Sequence, residues 1–137
     1  MMIHKLSAKS NALTWFEIPE TNMKRARKFY ETILDIKLEI MDGGNPAEET
    51  VFFPRLPDTI MALSGIVSGA LVKADRLKPS SNGPLIYLNA FPSIQEVIDR
   101  VESAGGKIIM PRTKIPAGHI AVITDTEGNT VGLHAEG

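Results

Sequence analysis

Two kinds of hydrophobic spacing alternate along this chain. The stretch LTWFEI at 13–18 is β-branched and aromatic and is stopped by Pro19, which predicts a strand. Beyond it Met23, Ala26, Phe29, Tyr30 and Ile33 recur at helical spacing, leaving Lys24, Arg25, Lys28 and Glu31 for water, with Thr21 or Asn22 as N-cap. Three short strands are predicted at 36–41, 50–53 and 59–63, separated by turn-forming residues at 43–46 and 54–58. The second half repeats the order. A strand at 85–89 precedes a helix at 93–104 that ends on Gly105 and Gly106, and strands follow at 107–110, 120–124 and 130–134. The last turn, DTEGN at 125–129, contains Gly128, which can take positive φ.

A register shift of 71 residues lays one half over the other. Trp15, Phe16 and Glu17 fall on Ile86, Tyr87 and Leu88, the helix positions Met23, Ala26, Tyr30 and Ile33 fall on Ile94, Val97, Val101 and Ala104, and Val51 and Thr59 fall on Val122 and Thr130. The match is one of pattern rather than identity, and it predicts an α+β fold of two tandem βαβββ modules. The expected organisation is an N-terminal tail at 1–10, a first module at 11–66, a connector at 67–83 and a second module at 84–136, within one domain at 11–137. The connector reads either as a linker carrying an edge strand or as a loop that covers a ligand.

Fifteen basic residues against sixteen acidic ones give a net charge of −1, which argues against a nucleic-acid partner. No cysteine is present, so disulfides and thiolate chemistry are excluded. The first ten residues lack the apolar run of a signal peptide, and no stretch approaches the roughly 18 apolar residues of a membrane span. The expectation is a cytoplasmic protein with no membrane partner.

The stretches WFEIPETNMKRARKFYETIL, NGPLIYLN, VESAGGKIIMP and DTEGNTVGLH, in this order on a duplicated pattern, resemble the vicinal oxygen chelate superfamily of glyoxalases, extradiol dioxygenases and bleomycin-resistance proteins. The resemblance implies that the modules curl into a cup-like mixed sheet with helices on the outer face, and that homodimers form. In that family the cup holds a divalent metal, bound by His and Glu from the first and last strand of each module. Carried onto this chain with the 71-residue shift, those positions are Trp15, Ile86, Met61 and Gly132, which supply no hard ligand set. No metal or other cofactor is therefore expected.

Strand alternation then gives the candidate site. With Trp15 and Gly132 facing inward, Glu17 and His134 share that face, and Met61, Leu63, Ile86 and Leu88 line the rest, giving an apolar pocket with few polar groups. Glu17, ionised by default, and His134, an imidazole, have the chemistry of a base and an acid for enolisation or epimerisation. Each also has a plainer role: Glu17 pairing with Arg25, Lys114 or another base, His134 as a barrel or dimer-contact histidine, and Trp15 as core. Tyr87 is expected on the helix-covered face, and Arg112 and Lys114 in a loop. Two functions follow. One is metal-independent binding of a small, largely apolar molecule; the other is a lyase or isomerase acting on a 2-oxo or vicinal-oxygen compound, metal-independent or with atypical ligands.

Overall fold

The computed structural model describes residues 5–40, 47–54, 62–63 and 66–137. Its elements are β1 (Trp15–Pro19), α1 (Met23–Leu34), β2 (Glu39–Ile40), β3 (Glu49–Phe52), β4 (Ala62–Leu63), β5 (Ile66–Lys73), β6 (Tyr87–Asn89), α2 (Ile94–Val101), β7 (Lys107–Ile115), β8 (Gly118–Thr124) and β9 (Thr130–Ala135). One sheet runs β1-β5-β3-β2, with the short β4 paired to β5, and the other runs β6-β9-β8-β7. In each, the first strand lies parallel to the last strand of its own module, and the remaining pairs are antiparallel. This is the expected α+β architecture of two tandem modules with curled mixed sheets.

Both helices begin where the sequence places them. The Asn22 side chain accepts the Arg25 N–H at 3.0 Å and the Ser93 hydroxyl accepts the Glu96 N–H at 3.4 Å, each satisfying one otherwise orphaned donor. The five apolar positions read at helical spacing in α1 are its buried residues. They join Phe53, Leu71, Leu88, Ile94, Val97, Ile123 and Leu133 in one core shared by the two modules, so the helices cover one face of both sheets. Alternation leaves Trp15, Glu17, Ala70, Val72, Tyr87, Asn89, Gly132 and His134 on the opposite, open face.

Three expectations need correction. The last strand of the first module is β5, which lies inside the expected connector 67–83 and sits between β1 and β3 rather than at an edge. Of the expected strand 59–63, Ala62 and Leu63 form β4, and 59–61, Met61 among them, lie outside the described residues. Second, the PRTKIPAG segment read as a loop belongs largely to β7, whose register against β8 shifts on either side of Met110, so Pro111 sits where the ladder is irregular. Third, the 71-residue shift holds for the N-caps but not for the strands. In the first module Glu20 N–H donates to the Val72 carbonyl, and in the second Ala90 N–H donates to the His134 carbonyl, both at 2.8 Å. That equivalence sets Ile18 beside Leu71 as Leu88 is set beside Leu133. The second strand-to-helix junction is one residue longer, and one residue turns a strand over. Ile86 and Leu88 therefore pack against the helix-side core, while Tyr87 lies on the open face.

Candidate functional site

The open face of the first sheet is occupied by its own side chains. Trp15 lies 6.0 Å from Phe52, ring centroid to ring centroid, and packs with Ala70, Val72 and Leu77 into a small second core. Arg76 reaches over this face, donating to Glu17 at 3.2 Å and to both carboxylate oxygens of Glu48 at 2.9 and 3.2 Å. Glu17 thus has a base for partner, as one reading of the sequence expected, but that base is Arg76. Arg25 pairs instead with Glu127 at 2.7 Å.

The open face of the second sheet is hollow. A cavity of about 860 Å3 is lined by Tyr87, Asn89, Phe91, Ile115, Ala117, Ile120, His134 and their neighbours. Its walls include side chains that water would be expected to drive inside: Phe91 is 77% exposed and Tyr87 47%. The Tyr87 ring lies flat over Gly132, where any Cβ would come within 2.5 Å of the ring. Gly132 is buried and contributes a bare backbone floor rather than a ligand contact.

Two polar side chains in this hollow have fixed orientations. Asn89 Oδ1 accepts the Phe91 N–H at 2.9 Å, which leaves its Nδ2 hydrogens without a partner among the described residues. His134 Nε2 lies 2.8 Å from the Ala117 carbonyl oxygen, which can only accept, so Nε2 carries the hydrogen and the neutral ring presents its lone pair at Nδ1.

The residues singled out in the sequence are thus dispersed. His134 and Leu88 border the large hollow, whereas Glu17 and Ile86 border a separate one of about 250 Å3 beside Pro84 and Thr130. Trp15 belongs to the filled first face. Leu63 is in β4 opposite Ile66. The fit to a divalent ion is poor. The equivalent layers of the two modules are Glu17 and Ala70 with Tyr87 and Gly132, and Pro19 and Val72 with Asn89 and His134, each with one acidic or imidazole side chain. Among the described residues, no three of His, Asp and Glu are grouped so as to hold a metal.

Sequence reasoning missed a buried cluster where the modules meet. Asp125, in the last turn of the second module, accepts the Tyr30 hydroxyl at 2.8 Å, the Glu127 and Asn129 N–H groups at 2.8 and 2.9 Å, and the Asn129 amide at 3.0 Å. Asn129 also donates to the Pro19 carbonyl at 2.7 Å. Glu127 accepts the Thr21 and Asn22 N–H groups at the start of α1 and the Arg25 guanidinium. Burial alone would raise the Glu127 carboxyl, but the hydrogen bonds from Arg25, the Asn22 N–H and Thr126 hold it down at about 2. Beside them Glu20 is only 2% exposed; neither of its oxygens is offered a donor, and its polar neighbour is the acceptor Asp125, to which the protonated acid donates. Burial first, then the negative charges of Asp125 and Glu127, push its carboxyl up to about 10, so at neutral pH it is an uncharged acid. The same burial and the neighbouring Asp125 raise the Tyr30 hydroxyl. This cluster joins one module to the other; Glu20 also borders a hollow of about 330 Å3 beside Lys73, Asp75 and Lys78, and Asn129 borders the one of about 250 Å3.

Two βαβββ modules, with a hollow on the open face of the second sheet, define a paired-module α+β fold. The sequence agrees: residues 12–133 match the Glyoxalase/Bleomycin resistance protein/Dioxygenase superfamily, and the chain belongs to that superfamily. It is 27% identical over 122 residues to "Putative glyoxylase CFP32" of Mycobacterium tuberculosis (strain CDC 1551 / Oshkosh), an alignment that covers 87% of this chain and 43% of that protein. The chain therefore spans less than half the length of the curated relatives it matches. Among solved structures, hypothetical protein SA1046 from S. aureus superposes with a TM-score of 0.64 at 16% identity, covering 98% of this chain and 95% of that one. A glyoxalase/bleomycin resistance protein from Streptomyces sp. CB03234 superposes with a TM-score of 0.58 at 21% identity, covering 88% and 96%. At these identities the structural likeness shows the fold.

Proposed function

We propose that this chain binds a small, largely apolar molecule in the hollow of its second module, without the divalent ion of metal-dependent relatives. The observation that carries the proposal is the contrast between the two open faces. One is filled by Trp15, Phe52 and Arg76, and the other keeps a cavity of about 860 Å3 with exposed aromatic walls and a few convergent polar groups. Metal independence rests on the donor set described above, which offers one acidic or imidazole ligand per layer.

The alternative, a lyase or isomerase, draws on the glyoxylase name that the CFP32 relative carries. Glu17 and His134 border different hollows, so the geometry does not favour them as an acid–base pair on one substrate. A cytoplasmic homodimer belongs to the same proposal; a solution mass of two chains is the expected result, and a single-chain mass contradicts that part. No helix among the described residues is long and apolar enough to cross a membrane.

The test uses N-phenyl-1-naphthylamine, an uncharged fluorophore whose emission rises in apolar surroundings. Saturable enhancement that is lost in Ile120→Trp, a substitution that fills the hollow, is the expected result. Enhancement unchanged in a folded Ile120→Trp protein would move the site elsewhere, and no saturable enhancement would sink the proposal.

A further inference from the structure

The hollow carries more information than its apolar walls. Asn89 and His134 are register partners on the neighbouring parallel strands β6 and β9, and their side chains leave the same face of the sheet. Strand neighbours of this kind stand about 5 Å apart. Each has one polar atom already engaged by backbone, Asn89 Oδ1 by the Phe91 N–H and His134 Nε2 by the Ala117 carbonyl, and these bonds fix which atom faces the ligand. What remains is a donor, the Asn89 Nδ2 hydrogens, beside an acceptor, the neutral His134 Nδ1. Around this pair stand the half-exposed Tyr87 ring, the exposed Phe91 ring and Ile120.

Resting on the binding function proposed above, we infer that the ligand is an uncharged, flat ring system bearing an adjacent N–H and C=O, as in a cyclic amide. Its carbonyl accepts from Asn89 Nδ2 while its N–H donates to His134 Nδ1, and its ring lies among Tyr87, Phe91 and Ile120. The two bonds are complementary to the two groups left free, the Asn89 amide hydrogens and the His134 lone pair. A carboxylate would place a second acceptor against the lone pair of Nδ1, and a purely apolar ligand would leave both groups buried without partners, which opposes binding. Flatness follows from the aromatic walls, which favour stacked or edge-on rings.

The probe is 2-quinolone, a bicyclic lactam, compared by titration calorimetry with N-methyl-2-quinolone, which lacks the N–H. The wild-type protein is expected to prefer 2-quinolone by at least about tenfold, the consequence of stranding one buried acceptor. In His134→Phe that preference is expected to fall to about onefold, and the wild-type comparison stands even if this variant does not fold. Two saturable isotherms of equal affinity in the wild type would overturn the inference while leaving an apolar binding site intact. No binding of either lactam, with the naphthylamine fluorophore still bound, would do the same. Failure of all three probes would remove the binding function as well. If instead a second copy of the chain occupies the hollow, lactams do not bind and Phe91→Ser halves the solution mass, which also overturns the inference.

Discussion

The two modules handle the same architectural position in opposite ways. On the first sheet the open face carries Trp15 against Phe52, Ala70 and Val72, with Arg76 drawn across it by Glu17 and Glu48. On the second sheet the register-equivalent layers carry Tyr87 over Gly132 and Asn89 beside His134, and no side chain of the described residues fills the space between them and the β7–β8 hairpin. The strand-to-helix junctions differ too: where the first holds Glu20, buried and uncharged, the second holds Ala90. In a duplicated fold one copy can fill its open face with its own side chains while the other leaves apolar surface exposed there, the two held together by the buried cluster at their seam.

That division can be broken in several places. The largest effect is expected from Asp125→Ala, which strands the Tyr30 hydroxyl and the Glu127 and Asn129 N–H groups in the seam between the modules. With buried unsatisfied groups costing about 1–3 kcal/mol each, the loss should be about 3 kcal/mol or more, seen as a fall in Tm of roughly ten degrees. Thermal unfolding followed by circular dichroism reads it directly; a change of a degree or two would show that the seam contributes little.

The two glycines beneath aromatic rings sharpen the comparison. A Cβ at Gly69 would come within 2.6 Å of the Phe16 ring on the helix-covered side, and one at Gly132 within 2.5 Å of the Tyr87 ring on the open side. Phe16 packs against the core and has little room, whereas Tyr87 is half-exposed and free to swing outward. Gly69→Ala is therefore expected to destabilise by about 2 kcal/mol, in the range of overpacked cores. Gly132→Ala should cost less stability and weaken fluorophore binding more. Equal losses of stability, with binding untouched in both, would erase the distinction between the faces.

Glu20 gives a pH signature. Its folded-state value, near 10, lies above the 4.5 of the unfolded chain, so folding takes up a proton between those values. Stability is fully retained below about 4.5 and declines as pH rises towards 10. Glu20→Gln should remove this decline, leaving the variant more stable than the wild type at pH 9 and close to it at pH 4.5. Parallel Tm–pH curves for the two proteins would contradict the assignment of Glu20 as a neutral buried acid. The smallest effect is expected from Arg76→Ala: its ion pairs are half-exposed and such pairs contribute about 0–1 kcal/mol, so Tm should move by no more than a few degrees.

Much of the fold was legible because helix signals are local. Asn22 and Ser93 mark the starts, the buried stripe of α1 matches its spacing, and Gly105 and Gly128 take the positive φ that their turns require. The strand β5 was not, because its Ser68 and Gly69 interrupt the apolar run and read as linker. The face of β6 was not, because a 71-residue repeat fitted on helices conceals one extra residue between β6 and α2, and a strand has no tolerance for a slip of one. His134 was found from alternation along β9, yet Asn89, Phe91 and Ile120 were passed over, since only the pairing of β6 with β9 brings them to one hollow. Glu20, between Pro19 and Thr21, carries no sequence mark of burial; its environment is made by Asp125 and Glu127, more than a hundred positions away.

The most direct test of the division between modules is amide chemical-shift mapping by 1H–15N NMR during titration with N-phenyl-1-naphthylamine. The account predicts saturating shifts at Tyr87, Asn89, Phe91, Ile120 and His134, with Trp15, Glu17 and Val72 unmoved. Shifts concentrated on the first sheet, or spread evenly over both, would contradict it.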